Sequence, residues 1–226
     1  MPLFLPRNQM FRRFLQEYKG LYATWLIIVA IGALWAVVHD RGDAIRSLNT
    51  YYSPFTVQFF TLFTRVAEWS GFVIPFIYLL LFRTIRQQIG YALVGLLVLI
   101  FVTVLKEYVF SSAIRPISFF EQMGIDIANK PDVTLNRKHS FPSGHTTAGF
   151  AYFFYLALAT RREYLRYGFL FVAICIGISR VFLIQHFMID VLAGSVLGVS
   201  IASFIYYFVV DQKVWGNKKL DEKFFS

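Results

Sequence analysis

The 226-residue chain contains one cysteine and few charged side chains. Cys175 can form neither an internal disulfide nor a cysteine metal site, and its position in an apolar run predicts a small core residue. Charged residues make up 15% of the chain and hydrophobic residues 57%, a balance that excludes an ordinary water-soluble domain. The 13 Asp and Glu residues form no cluster of the kind that holds magnesium or calcium. The composition predicts one membrane domain over residues 1–226 and no metal cofactor.

Aromatic and basic side chains are abundant by contrast. Phe, Tyr and Trp make up 19% of the chain, which fits lipid-facing surfaces and interfacial belts better than a water-soluble core. The formal net charge is +9, yet the Lys and Arg residues stand in short clusters between apolar runs. Membrane topology explains such clusters more simply than a nucleic-acid partner does. The expected partner is therefore the bilayer and not nucleic acid.

Six apolar runs predict an all-α fold, a bundle of six transmembrane helices. The runs are 21–38, 67–82, 89–105, 142–160, 167–179 and 187–210. The first run is too long for the apolar part of a cleaved signal peptide, so we interpret it as a retained helix. The mixed stretch 40–68 is expected to lie along the outer interface. Gly194 and Gly198 in the last run predict close helix packing.

An even number of spans places both chain termini on one side of the membrane. Four basic segments fall on that side: the N-terminal segment, the turn with Arg83 and Arg86, the turn 161–166 and the C-terminal tail. Together they hold more than half of the 22 Lys and Arg residues, so the positive-inside rule makes this side cytoplasmic. The predicted location is the inner (cytoplasmic) membrane of a bacterium, with the reactive residues on its outer face.

His186 and Asp190 are four residues apart and share one face if they lie on a helix. The carboxylate can then accept a hydrogen bond from the imidazole, which fixes the tautomer and leaves the other ring nitrogen to act as a nucleophile or base. A polar pair that satisfies itself at a helix end is the simpler alternative. Arg180 stands six residues before His186, and ionisable groups at membrane depth favour function over that alternative.

The segment Pro142-Ser143-Gly144-His145 opens the fourth apolar run. Proline suits the first turn of a helix, so the amides near Ser143, Gly144 and His145 are expected at a helix N-terminus, where they favour an anion. Gly144 would let that anion approach the backbone closely. A plain turn accounts for the first three residues but not for the histidine that follows them.

Three cations fall on the same predicted face as the two histidines: Lys106, Arg115 and Arg180. Guanidinium groups match phosphate oxygens bidentately. The alternative for any one of these residues is a long side chain that simply reaches the membrane interface. Three cations, two histidines and one carboxylate on one face together predict phosphoryl transfer without a metal ion.

These residues resemble the signature of the type 2 phosphatidic acid phosphatase superfamily. The family comprises membrane lipid phosphate phosphatases whose core fold is related to that of the vanadium haloperoxidases. Its signature is a Lys followed by Arg-Pro, then Pro-Ser-Gly-His, then Ser-Arg-x5-His-x3-Asp. The second part is complete here at 142–145, and the third part is complete at Ser179, Arg180, His186 and Asp190.

The first part of the signature departs from the family pattern. Eight residues separate Lys106 from Arg115, whereas the usual form has six. On one continuous helix this spacing would turn the two side chains to opposite faces. The helix must therefore end or unwind between them if both residues touch one phosphate.

The resemblance implies a role for each residue. His186 would attack phosphorus and Asp190 would orient it, while His145 would protonate the leaving oxygen and later activate water to hydrolyse the phosphohistidine. The phosphate would be bound by cations and helix amides at Lys106, Arg115, Arg180, Ser143 and Gly144. The expected activity is the metal-independent dephosphorylation of a membrane lipid phosphate or diphosphate.

Several alternatives stay open at this point. A lipid phosphotransferase would pass the phosphoryl group from the same histidine to a lipid acceptor, and vanadate-dependent halide oxidation is a more remote enzymatic alternative. A transporter or receptor would bind lipid head groups without turnover. The sequence does not choose among phosphatidic acid, phosphatidylglycerol phosphate, polyprenyl diphosphate and the phosphates of lipid A as the substrate. It leaves the oligomeric state open as well.

Overall fold

The computed structural model describes residues 7–127 and 134–223 of the chain. Within these ranges the protein is built from helices without a strand, which confirms the predicted all-α class. The α-helices are α1 (Arg7–Glu17), α2 (Lys19–Val38), α3 (Asp43–Asn49), α4 (Pro54–Val66), α5 (Trp69–Phe82), α6 (Ile85–Val104), α7 (Pro116–Gln122), α8 (Gly144–Ala159), α9 (Glu163–Phe182) and α10 (Met188–Ile205). The polar segment from Lys106 to Ser140, which joins the third apolar run to the fourth, lies partly outside the described residues.

Four helices in the described ranges are long and apolar enough to cross a membrane: α2, α6 with its continuation to Val109, α9, and α10 with its continuation to Asp211. Helices α4 and α5 pass the same test together, with a bend of 53° between them. These four or five candidate spans support an integral membrane protein, but the predicted number of six is not confirmed. The predicted fourth span is the 16-residue helix α8, which is not among the candidates, and the predicted second span, α5, is a candidate only together with α4.

Helix α8 forms the centre of the bundle. Every residue from Thr146 to Ala159 is buried, and the helix packs against α6, α9 and α10. A Cβ on Gly194 would lie 2.8 Å from the Ser143 carbonyl oxygen, and one on Gly198 would lie 2.5 Å from the Thr147 carbonyl oxygen. These two glycines therefore let α10 approach α8 closely, as their spacing predicts. Because protein surrounds α8, its sequence is apolar on all sides.

The outer helices expose apolar side chains to the surroundings. Leu34 and Val37 in α2 are 66% and 84% exposed, and Leu99 in α6 is 65% exposed. An apolar surface of this kind is costly in water, whereas lipid tails are as apolar as leucine and accept it. The exposed surface thus agrees with the membrane location that the helix lengths indicate.

Helices α3 and α7 form a cap beyond the C-terminal end of α9. The core of this cap includes Ile45, Phe120, Val181 and Phe187, each 1% exposed. It fixes the short turn between α9 and α10, which carries His186. The stretch 40–68, predicted to follow the outer interface, folds into α3 and α4, and α4 packs against α9.

Candidate active site

The second and third parts of the signature meet at one hydrogen bond. The N–H of Ser143 donates to the carbonyl oxygen of Asp190 at 3.0 Å. The contact joins the start of α8 to the first turn of α10, and the absence of a side chain at Gly194 makes this approach sterically possible. Two segments that are far apart in the sequence thereby become neighbours in one site.

Asp190 lies in the first turn of α10 and faces His186. Its Oδ2 accepts hydrogen bonds from the Ser140 hydroxyl at 2.5 Å and from the Phe187 N–H at 3.0 Å. The same oxygen lies 3.4 Å from Nδ1 of His186, slightly longer than a formed hydrogen bond. The carboxylate is thus anchored where it can orient the imidazole, and Nε2 on the far side of the ring is left for another partner.

His186 is held in a buried environment. Its side chain is 1% exposed. Burial lowers the pKa of His186 below its usual value, Asp190 opposes this effect, and the nearby cations Arg115 and Arg180 add to it. The ring is therefore neutral at physiological pH, which is the form that can act as a nucleophile.

A tight turn places His186 after the end of α9. The carbonyl oxygen of Arg180 accepts hydrogen bonds from the N–H groups of Gln185 and His186 at 2.9 and 3.1 Å. Ile184 within this turn has a φ of 58°, a left-handed conformation that a β-branched residue rarely adopts. Such a conformation persists only where the surrounding contacts enforce it, and here the cap core encloses the turn.

Arg180 occupies the last turn of α9 and is 5% exposed. Its Nη1 donates to the Thr64 hydroxyl at 3.0 Å, and that hydroxyl also lies 2.9 Å from the Ser179 hydroxyl. In the described part of the chain, four buried side-chain nitrogen or oxygen atoms lack a hydrogen-bond partner, and three of them belong to Arg180, His186 and Asp190. Buried polar atoms normally have partners. Because Nδ1 of His186 faces Asp190, the Nε of Arg180 is the atom that indicates a place for a polar ligand.

Arg115 immediately precedes α7 and is tied to the turn that carries His186. Its Nε donates to the Lys138 carbonyl oxygen at 2.9 Å. Its Nη1 donates to the side-chain oxygen of Gln185 at 3.0 Å and to the backbone oxygen of the same residue at 3.3 Å. Burial lowers the pKa of Arg115, and Asp190 opposes this shift. The guanidinium is fixed next to the candidate nucleophile.

The helix that carries Lys106 ends before Arg115, as the unusual spacing requires. Helix α6 passes into a π-helical turn at Leu105–Val109, and α7 begins at Pro116. The Nζ atom of Lys106 lies 3.8 Å from the position that a Cβ on Gly144 would occupy. Lys106 therefore reaches the start of α8, where the Pro-Ser-Gly-His segment lies.

Helix α8 begins at Gly144, two residues later than its predicted start, with Ser143 as the N-cap. The Ser143 hydroxyl accepts hydrogen bonds from the N–H and the hydroxyl of Thr146. The backbone N–H of Ser143 donates to the carbonyl oxygen of Asp190. Ser143 thus joins the two motifs. The amides that this N-terminus leaves for an anion are those of Gly144 and His145.

His145 stands in the first turn of α8 beside a cavity of about 540 Å³. The lining is mostly apolar and includes Phe72, Leu99 and Tyr152. The same cavity contains Glu68, whose Oε1 lies 3.5 Å from Nε2 of His145. A carboxylate at this distance can stabilise a proton on the imidazole ring.

Four polar residues at the site are not among the predicted ones: Thr64, Glu68, Ser140 and Gln185. Ser140 and Gln185 stand within two residues of the motifs, so their sequence position offered a usable signal. Thr64 lies in the last turn of α4 and Glu68 caps the start of α5, both far from every motif in the sequence. The packing of α4 against α9 brings Thr64 to Arg180, and the packing of α5 against α8 brings Glu68 to His145.

Comparisons with known proteins give one family match and two structural neighbours. The model of the PAP2 superfamily matches residues 87–213, a range that contains every predicted site residue but neither Thr64 nor Glu68. No curated protein matches the chain. Two solved structures, each below a quarter identical in sequence, share its fold.

The first is LpxE from Aquifex aeolicus, with a TM-score of 0.60 and 23% identity over 72% of this chain and 92% of that one. The second is the first transmembrane PAP2 type phosphatidylglycerolphosphate phosphatase from Bacillus subtilis. Its TM-score is 0.56, with 22% identity over 89% of this chain and 99% of that one.

Proposed function

This chain belongs to the PAP2 superfamily, and from that premise we propose that it dephosphorylates a membrane lipid phosphate or diphosphate through a phosphohistidine. The predicted family is confirmed, and the predicted class of enzyme, a lipid phosphate phosphatase, agrees with it. The observation that carries the proposal is the hydrogen bond from Ser143 to Asp190, because it unites the two complete parts of the signature. No metal ion takes part in the proposed reaction.

In the first step, Nε2 of His186 attacks phosphorus. The P–N bond forms while the bond from phosphorus to the lipid oxygen breaks, and the lipid leaves as an alcohol, or as a monophosphate if the substrate is a diphosphate. Asp190 stabilises the positive charge that develops on the ring of His186, because its carboxylate faces Nδ1. The buried, neutral state of His186 prepares it for this attack.

The departing lipid oxygen takes its proton from His145. In the second step His145 accepts a proton from water, which attacks phosphorus, breaks the P–N bond and releases inorganic phosphate. Glu68 lies next to His145 and supports the protonated form of its ring during the first step. It acts through His145 and is therefore a positioning residue.

The transferred phosphoryl group lies among three cations and a helix start. Arg180 offers its unpaired Nε, Arg115 is fixed beside the His186 turn, and Lys106 reaches the start of α8. The amides of Gly144 and His145 complete this cradle at the positive end of the α8 dipole. Such preorganised donors stabilise the charge on the equatorial oxygens in the transition state.

The proposed topology keeps six spans, with the bent α4–α5 pair as the second and the short central α8 as the fourth. The basic helix ends then face the cytoplasm, and the site opens toward the outer face. The apolar cavity beside His145 receives the lipid portion next to the phosphate. Since the Bacillus subtilis neighbour is named a phosphatidylglycerolphosphate phosphatase, that lipid is the first one to assay.

The test replaces the candidate nucleophile. His186→Ala should reduce phosphate release from lipid phosphates in detergent by at least about 1000-fold, because the covalent step is lost. His39→Ala is the matched control, since His39 is exposed at the end of α2 and should leave the rate unchanged. Circular dichroism and gel filtration establish that both variants are folded.

A labelling experiment separates the mechanisms. With ³²P-labelled p-nitrophenyl phosphate, whose leaving group needs no proton, His145→Ala should still form the phosphohistidine but hydrolyse it slowly, so acid-labile, base-stable label should accumulate on the protein. His186→Ala should show no label. Full activity of folded His186→Ala would overturn the proposal. Labelled lipid in place of free phosphate would assign a transferase, and loss of activity with a chelator, restored by a divalent ion, would contradict a metal-free mechanism.

A further inference from the structure

A second cavity, of about 490 Å³, lies at the end of the bundle opposite the candidate active site. Helix α8 connects the two, because it begins at the site with Gly144 and ends at the cavity with Ala159. At 1.5 Å per residue the two ends are roughly 22 Å apart. The cavity is therefore separate from the catalytic groups.

The cavity is lined by more cations than anions. Its cationic side chains come from the ends of four helices and from the C-terminal segment: Arg83, Arg86, Arg161, Arg166, Lys213 and Lys223. The two lining carboxylates are already engaged. Asp221 binds Arg86 and Lys213, and Glu17 lies 3.9 Å from Arg166.

Three of these cations are without a partner among the described residues. In the residues that the structure describes, the side chains of Arg83, Arg161 and Lys223 form no ion pair or hydrogen bond. They therefore leave uncompensated positive charge around one concave space. An anion in that space would gain charge-assisted contacts from several sides.

The position of the cavity along the helices indicates what kind of anion fits. All four candidate spans begin or end at its lining: Tyr18 precedes α2, Thr84 caps α6, Arg166 lies in the first turn of α9, and Val210 is the penultimate residue of the α10 continuation. Hydrophobic spans end where the lipid head groups begin. The cavity thus lies at head-group depth.

We propose that this cavity binds the phosphate of an anionic phospholipid from the leaflet at this end of the bundle. The exposed apolar ring of Phe82, which belongs to the lining, offers contact to the acyl region of such a lipid. Basic pockets between transmembrane helices suit phospholipid head groups. A freely dissolved phosphate would use the same cations but gain nothing from Phe82.

The experiment measures retention of phosphatidylglycerol, a phosphodiester that a phosphomonoesterase does not consume. Protein is exchanged into mixed micelles of phosphatidylglycerol and phosphatidylcholine, and bound lipid is counted by native mass spectrometry. The test variant is the triple substitution Arg83→Gln, Arg161→Gln, Lys223→Gln. The matched control removes three cations at the same end that do not line the cavity: Arg162→Gln, Lys218→Gln, Lys219→Gln.

The unsubstituted protein should retain phosphatidylglycerol in preference to phosphatidylcholine. The test variant should lose at least about tenfold in apparent affinity, since each cation near a lipid phosphate contributes separately. The control should stay within about twofold of the parent, because its side chains lie outside the cavity. If the triple variant does not fold, the single variants Arg83→Gln and Arg161→Gln should each show a smaller loss in the same direction.

An equal loss in the control, or no preference for the anionic lipid, would overturn the proposal. Complete displacement of the lipid by millimolar inorganic phosphate would assign the cavity to free phosphate and would also overturn it. The measurement is repeated in the His186→Ala background, where lipid retention should be unchanged. Failure of the proposed catalytic mechanism would therefore leave this result intact.

Discussion

Two buried arginines at opposite ends of the bundle differ in how fully their donors are used. Arg86 at the start of α6 is 1% exposed, binds the carboxylate of Asp221 and donates to three carbonyl oxygens within 209–217. Arg180 at the end of α9 is 5% exposed, donates to Thr64 through Nη1, and has an Nε without a partner among the described residues.

The difference separates a structural role from a binding role. A buried cation whose donors are used by the protein itself holds segments together, and Arg86 fastens the C-terminal segment to α6. A buried cation with unused donors carries a desolvation cost that the fold does not offset. Arg180 fits the second case, because an anion in the site would complete its hydrogen bonds.

The largest effect is expected from the replacement of Arg180. Arg180→Gln should lower kcat/KM by about 1000-fold, because a charged donor to the transition state is lost. The melting temperature should change little, since only one hydrogen bond within the protein disappears. Arg180→Lys, which keeps the charge without the planar fork, should recover part of the rate. If folded Arg180→Gln kept activity within threefold of the parent, Arg180 would have no role in binding the transferred phosphoryl group.

Arg86 should show the reverse pattern. Arg86→Gln should lower the free energy of unfolding by about 3 kcal/mol, because buried carbonyl oxygens and Asp221 lose their donors. The rate per folded molecule should stay unchanged, since Arg86 lies at the far end of the bundle. Urea titration in detergent, followed by tryptophan fluorescence, measures the first quantity. If Arg86→Gln lost its catalytic rate but kept its free energy of unfolding, Arg86 would have a binding role and not the structural role assigned to it.

The two regions also differ in their carboxylates. Asp221 is paired with Lys213 and Arg86, which lower its pKa, whereas Glu68 faces His145. Glu68→Gln should slow the hydrolysis of a lipid phosphate by about tenfold, because Glu68 supports the protonated His145 that gives its proton to the leaving alkoxide. The leaving group of p-nitrophenyl phosphate needs no proton, so the hydrolysis of this substrate should slow less than threefold. Equal losses for both substrates would indicate only a structural role for Glu68.

The smallest expected effect concerns the titration of His186. Burial lowers its pKa, so the neutral ring should persist well below pH 6.5, the usual midpoint for histidine. By linkage, the stability that His186 contributes is present above that pH and is lost as the pH falls toward the lowered pKa. A ¹³C NMR titration of the histidine rings, assigned with His186→Asn, measures this value. A midpoint at or above pH 6.5 would contradict the prediction.

The sequence was sufficient for the parts of the site that depend on local spacing. His186 and Asp190 are one helical turn apart, and the two lie close together although the helix starts only after His186. The eight-residue gap after Lys106 predicted a helix end, and the π-helical turn at Leu105–Val109 leads into that end. In each case the geometry follows from a few neighbouring residues.

Other features depend on packing between distant segments. Thr64 and Glu68 carry no motif, and they reach the site only because α4 packs against α9 and bends into α5. The length of α8 could not be read from its apolar run, since a helix enclosed by protein need not match the bilayer thickness. Ser143 likewise fits a helix cap in the sequence, but its bond to Asp190 depends on the close approach at Gly194.

Asp190 contributes two groups to the site: its backbone carbonyl accepts from Ser143, and its carboxylate faces His186. The first contact exists only after α10 has docked against α8. In the proposed mechanism, a nascent chain with α10 still undocked would contain His186 and His145 and yet lack the carboxylate that orients His186. Phosphate release should therefore appear only after α10 has docked, so that turnover would report completed membrane insertion.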